Sequence, residues 1–124
     1  MIRTTARALL FSALTMAAMP AAAQSFGPFK GENGHATSGT ANIVEDGGKY
    51  YVELAADFSF DGAPDPKLAL GNGTVDPATA MANLTANSGA QRYQLPAGID
   101  PAGYTTLHVW CEEFTVSLGV APLN

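Results

Sequence analysis

Cys111 is the one cysteine in a chain of 124 residues, and it stands in the run Trp110-Cys111-Glu112-Glu113. A thiol is the side chain here whose ordinary chemistry is redox exchange or ligation of a soft metal or prosthetic group. With no second cysteine, no intramolecular disulfide can form, which is unusual for a chain made for an oxidising compartment. The residues alone leave two readings open. Cys111 is either a small apolar core residue beside Leu107 and Val109, a use to which cysteine is well suited, or a reactive group near a hairpin tip, where chain ends usually meet solvent.

Beyond the first 23 residues the chain holds one cysteine, two histidines (His35 and His108) and one methionine (Met81). A blue-copper centre uses that set of ligands. The spacing does not suit it: such centres place a histidine and a methionine a few residues after the cysteine, and nothing after Cys111 qualifies. His108 and Cys111 are three apart on one extended run and so face opposite ways. No metal site is expected. Attachment of haem through two cysteines and a histidine is excluded by the count, while a noncovalent haem and no cofactor at all both stay compatible with it. His35 reads as a solvated loop residue and His108 as an exposed strand residue opposite the core. No hydrolase or transferase signature appears. Ser38-Gly39-Thr40 has no matching His and Asp, and the acidic residues are dispersed along turns.

The elements that must position Cys111 are strands. Gly, Pro, Asn and Asp punctuate short apolar runs, and no segment sustains a 3.6-residue apolar period. From Lys49 the alternation puts Tyr50, Val52, Leu54 and Ala56 on one face, continuing to Phe58, with Tyr51, Glu53 and Asp57 on the other. Residues 39–44 read as the preceding strand, and Asp46-Gly47-Gly48 as a tight hairpin turn between the two. Residues 61–66, with Pro64 and Pro66, form a loop before a short run at 67–70. Asp76 and Pro77 suit one helical turn. Tyr93 and Leu95 alternate with Arg92 and Gln94. Near the end, Leu107, Val109 and Cys111 alternate with His108 and Trp110, and the chain returns as Phe114, Val116 and Leu118 against Thr115 and Ser117, so Cys111 falls at a hairpin tip. The expected fold is all-β, a single antiparallel β-sandwich or partly closed barrel.

The N-terminus carries Arg3 and Arg7, then a nearly apolar run to Met19, Pro20 and Ala21-Ala22-Ala23. That is the layout of a cleavable secretory signal at residues 1–23, with an apolar run too short for the ~20 residues of a membrane span. The mature chain then has no transmembrane segment and is periplasmic or secreted. It keeps four basic residues, Lys30, Lys49, Lys67 and Arg92, against all eleven acidic ones. A net charge of −7 argues against nucleic acid or an anionic membrane as partner, because both need clustered Lys and Arg.

One further pattern runs through the mature chain: Ser38-Gly39-Thr40, Phe58 with Gly62 and Pro64-Asp65, Gly89 with Gln91 and Tyr93, Leu95-Pro96, Tyr104, Trp110-Cys111 with Phe114, and Ala121-Pro122-Leu123. In this order the sequence resembles the DM-thirteen domain, an electron-transfer domain often found beside DOMON domains in secreted or surface proteins. Trp110-Cys111 is the specific piece. The resemblance implies a domain at residues 36–124 after a lead-in at 24–35. It implies that Cys111 is a redox thiol or a ligand to a prosthetic group, with Trp110 beside it, haem being the group to test. It also implies a redox partner or surface protein that the residues do not name. Where family members more often carry Gly-Pro-Asp-Leu, this chain has Ala63-Pro64-Asp65-Pro66-Lys67-Leu68, an altered loop. The function expected is therefore an exported electron-transfer or redox-thiol domain centred on Cys111. The alternative is a noncatalytic extracellular binding or adhesion module with a structural buried cysteine. Mass spectrometry of the exported protein should find Gln24, or its cyclised form, as the first residue; a retained Met1 on a membrane-bound product would contradict the signal.

Overall fold

A computed structural model describes residues 21–124, with side chains from Gln24 onward. The signal at 1–23 thus lies outside the described residues, apart from the backbone of its last three. The strands are β1 (Ala21–Phe26), β2 (Lys30–Gly31), β3 (Thr37–Ser38), β4 (Ala41–Asp46), β5 (Lys49–Leu54), β6 (Ser59–Phe60), β7 (Pro66–Gly71), β8 (Gln91–Gln94), β9 (Thr106–Cys111) and β10 (Val116–Pro122). Two four-stranded antiparallel sheets, in the orders β1-β4-β5-β8 and β2-β10-β9-β7, face each other, and β3 and β6 form a short separate ribbon. The sheets do not close, so the architecture is the sandwich and not the barrel.

The β4–β5 hairpin turns where expected. Asp46 pairs with Lys49, and Gly47 and Gly48 take φ of 59° and 78°, the positive values that a two-residue turn matched to strand twist requires. Val52, Leu54 and Phe58 are buried as the alternation requires, whereas Ala56 is exposed because the strand has already ended. From the other sheet Leu68, Leu70, Leu107, Val109, Cys111, Leu118 and Ala121 close the core, with Phe29 and Phe58 packed edge to face at 5.6 Å between centroids.

The segment read as a lead-in is built into both sheets: β1 pairs with β4, and β2 with β10. Asp76 caps the short 3-10 turn Pro77–Thr79, its side chain accepting from the Ala78 amide. The residues that follow β7 run back along its free edge, where the amides of Asp76, Met81 and Leu84 donate to the carbonyls of Leu70, Leu68 and Pro66. Pro66, which has no donor of its own, is thereby accommodated at a covered edge.

The last strand departs from simple alternation. Ser117 pairs with Trp110 and Gly119 with Val109, so Leu118 is an extra residue, a bulge. The inward set changes from Val116 and Leu118 to Ala121 across it. Phe114, expected inward, sits in the turn before β10 and is 63% exposed. Leu54→Ala should lower stability by ~2–5 kcal/mol, as truncations of buried leucine do. Glu53→Ala, which removes only a half-exposed 3.7 Å contact to Arg92, should change it by less than ~0.5 kcal/mol. Equal shifts of the urea midpoint for the two would show that the register is wrong.

Candidate functional site

Cys111 ends β9 on the inward face and is 2% exposed. Its Sγ donates to the Pro64 carbonyl at 3.3 Å. A recess of about 310 Å³ opens above it, lined by Gly62, Ala63, Pro64, Phe114, Val116, Leu118 and His35. The wall is almost wholly apolar, and its lip is the turn that carries exposed Phe114. The thiol therefore lies at the edge of the sandwich beneath a thin cover formed by the segment 62–64.

His35 is the residue that local sequence could not place. It is far from Cys111 in sequence, yet β3 brings it to the mouth of the same recess, where its ring stacks on Phe60 at 5.8 Å and Nδ1 bonds Asp61 Oδ1 at 2.8 Å. Asp61 also accepts from the Ala36 amide. That backbone bond, followed by the one to His35, holds its carboxyl below the usual range. On the outward face of the sheet that holds Cys111, where Lys67 pairs with Trp110, Lys67 Nζ lies 2.9 Å from both Asp65 Oδ1 and Glu112 Oε2, and these carboxylates raise its pKa, Glu112 foremost.

The recess does not fit a haem. Its volume is at the low end of the roughly 300–1,000 Å³ of small-molecule sites. Its walls come together at the Pro64 cover, and Sγ is directed at a carbonyl instead of into open space. Among the described residues no group of three or more His, Cys, Asp or Glu is placed to hold a metal ion. Met81 is buried in the core and does not line the recess.

The expectation for His108 is corrected: it is 1% exposed, not solvated. Trp110, on the same outward face, is 5% exposed and lies outside the main core cluster. Residues 73–77 and Glu32 fold over that face and leave a recess of about 340 Å³ beside both. Alternation identified the face correctly, but it could not show that the second face was covered as well.

The polar groups there form one directed chain. The Gly73 amide donates to Thr106 Oγ1, which lies 2.9 Å from His108 Nε2; His108 Nδ1 lies 2.9 Å from Ser117 Oγ, and Ser117 donates to Glu32 Oε1 at 3.0 Å. With the Ser117 hydroxyl donating to the Glu32 carboxylate, Nδ1–H donates to Ser117 Oγ and Nε2 accepts from Thr106. This is a neutral imidazole. Burial pushes its pKa below 6.5, with Glu32 at 3.9 Å pulling weakly the other way. As pH falls through 6.5, the unfolded chain takes a proton that the folded chain refuses. Stability should therefore drop between there and the folded value, by at most about 1.4 kcal/mol per pH unit. Urea midpoints at about pH 7.5 and about pH 5.5 should differ more for wild type than for His108→Asn; an identical difference would show that His108 is not the group responsible.

No curated protein and no solved structure matches the chain, so its placement rests on the family comparison. The family described as Electron transfer DM13 matches residues 28–123, a span that begins just before β2, takes in every strand from β2 to β10 and ends one residue beyond β10, leaving out β1. It includes Cys111 and every lining residue of the recess above it. The chain belongs to the DM13 electron-transfer domain family.

Proposed function

We propose that this is an exported electron-transfer domain in which Cys111 is the group that changes oxidation state. The observation that carries the reading is the location of the thiol, at the floor of an apolar recess at the sandwich edge and one hydrogen bond from a loop cover. A core cysteine in mid-strand would have no such approach. Export is supported by the charge, apolar run and small residues of the N-terminus, and it brings the domain into a compartment where disulfide partners occur.

The chemistry open to a lone thiol is exchange. As thiolate, Cys111 attacks one sulfur of a partner disulfide; a Cys111–partner S–S bond forms, the partner S–S bond breaks, and the second partner sulfur leaves as thiolate. Because the chain holds no resolving cysteine, a thiol of a partner must then attack the mixed disulfide and return Cys111 reduced. The protein serves as a relay between partners and needs no bound cofactor in this scheme.

The 2% exposure of Cys111 favours a second reading, in which the thiol only fills the core and the loops bind a partner noncatalytically. Oxidised glutathione in excess, added to the folded protein without denaturant, separates the two. The expected result is one glutathionyl adduct per chain, reversed by dithiothreitol, with the sheet signal in circular dichroism unchanged. Cys111→Ser should take no adduct and lose less than ~1 kcal/mol, because its hydroxyl can still donate to the Pro64 carbonyl. A thiol that reacts only at the rate of global unfolding would overturn the redox assignment in favour of the core one.

A further inference from the structure

We propose that His35 is the acid that protonates the departing sulfur when Cys111 attacks a disulfide, with Asp61 holding its ring in place for that transfer. The inference rests on the redox reading of Cys111 and deepens it by naming the proton donor of the exchange.

The first observation is that a tethered imidazole and the one thiol of the chain line the same recess. Cys111 is on the floor, whereas the His35 side chain is 28% exposed and stands at the mouth. Two contacts fix the ring. It stacks on Phe60 with 26° between the planes, and its Nδ1 lies 2.8 Å from Asp61 Oδ1. A carboxylate only accepts, so Nδ1 carries the hydrogen of that bond. Asp61 is itself anchored, since Oδ2 accepts from the Ala36 amide at 3.0 Å and the Asp61 amide donates to the Ala36 carbonyl at 3.1 Å. Nε2 bonds no group among the described residues and is not sealed from solvent. A histidine tied through one nitrogen to a carboxylate presents the other at a fixed point for proton transfer.

The second observation is the make-up of the walls. Among the side chains that line the recess, only those of His35 and Cys111 carry an exchangeable proton; the rest belong to Gly62, Ala63, Pro64, Phe114, Val116 and Leu118. A thiolate formed against such walls is poorly solvated, so its release is slow unless a proton reaches it. The attacking, central and leaving sulfurs of an exchange lie in line, which sets the leaving sulfur two S–S lengths, ~4 Å, out from Sγ toward the mouth. His35 stands there. Asp61 is the charged group that faces its ring, and Glu32, on the turn before it, gives its carboxylate to Ser117 instead.

The step balances. Cys111 thiolate attacks the inner sulfur, the Cys111–partner S–S bond forms, and the partner S–S bond breaks with its electron pair on the outer sulfur. That sulfur takes the Nε2 proton as it departs and leaves as a thiol, while neutral His35 keeps its Nδ1–H on Asp61. In the return step a partner thiol gives its proton to Nε2 as it attacks the mixed disulfide, and Cys111 is released reduced.

Two reagents test this: bis(2-hydroxyethyl) disulfide, and the mixed disulfide of 2-mercaptoethanol with thionitrobenzoate. When the mercaptoethanol sulfur is attacked, both leave the same group on Cys111. They differ in the leaving sulfur, an alkyl thiolate that gains from a proton or an aromatic thiolate that is stable without one. Adduct formation on the folded protein is followed by mass spectrometry, and the ratio of the alkyl to the aromatic rate cancels the thiolate fraction of Cys111. For wild type the ratio should fall from about pH 6 to about pH 8, as imidazolium is lost. His35→Gln should lower it at least about tenfold at about pH 6 and make it independent of pH. Asp61→Asn, which keeps the ring, should lower it in the same direction and so guards against a His35→Gln chain that does not fold. If neither reagent modifies the folded wild type, the redox reading fails and the acid with it. If both react and the two substitutions leave the ratio where it was, the redox reading stands and the assignment of His35 falls. A wild-type ratio that is flat with pH would likewise reduce His35 to a packing residue and overturn its role as acid.

Discussion

The site depends on the close approach of β3 to the bulge in β10. A Cβ on residue 119 would lie 2.6 Å from the Cβ and Oγ1 of Thr37, so only glycine lets the two strands meet there. Because they meet, the Leu118 carbonyl, turned out of the regular ladder by the bulge, accepts both from Thr37 Oγ1 at 3.0 Å and from the Glu32 amide at 3.1 Å. Those two bonds tie the turn between β2 and β3 to the sheet. On one side of the tie, His35 reaches the mouth of the Cys111 recess, and on the other, Glu32 reaches Ser117 and the buried His108. A side chain at residue 119 would force β3 away and disconnect both.

Cys111 itself was legible in the sequence, because its surroundings are local. Alternation with Leu107 and Val109 fixes its face, and the pair Glu112-Glu113 marks the end of the strand, so a thiol at the tip of an inward face could be read directly. The β4–β5 hairpin was legible for the same reason, since two glycines and a period of two specify turn and register together. What stayed hidden is non-local. His35 and Cys111 are distant in sequence, and no local pattern tells that β2 and β3 fold against the outer edge of β10. His108 was misread because alternation reports which residues share a face, not whether that face is later covered. A polar residue on the second face looks solvated until Thr106 and Ser117 are seen to satisfy both ring nitrogens.

The two faces of β9 thus hold two separate chemistries three residues apart. The strand period sends Cys111 inward and His108 outward, and between them runs the backbone of a central strand paired on both sides, to β7 and to β10. No hydrogen bond among those described links the His108 chain to Sγ, whose bond goes to Pro64. The outward chain ends at Glu32, on the turn that β10 holds in place, and so its role is to fix that turn against the sheet.

For the thiol this separation has a consequence. Movement that uncovers Sγ has to come from its own side, from the segment 62–64 or from the turn that carries Phe114, since the strand beneath is held on both edges. Both segments lie outside the paired strands, where local opening is least expensive. The cover at Pro64 is one weak sulfur hydrogen bond, and the lip is an exposed aromatic ring that loses little by moving. The sandwich can therefore stay intact while the recess opens.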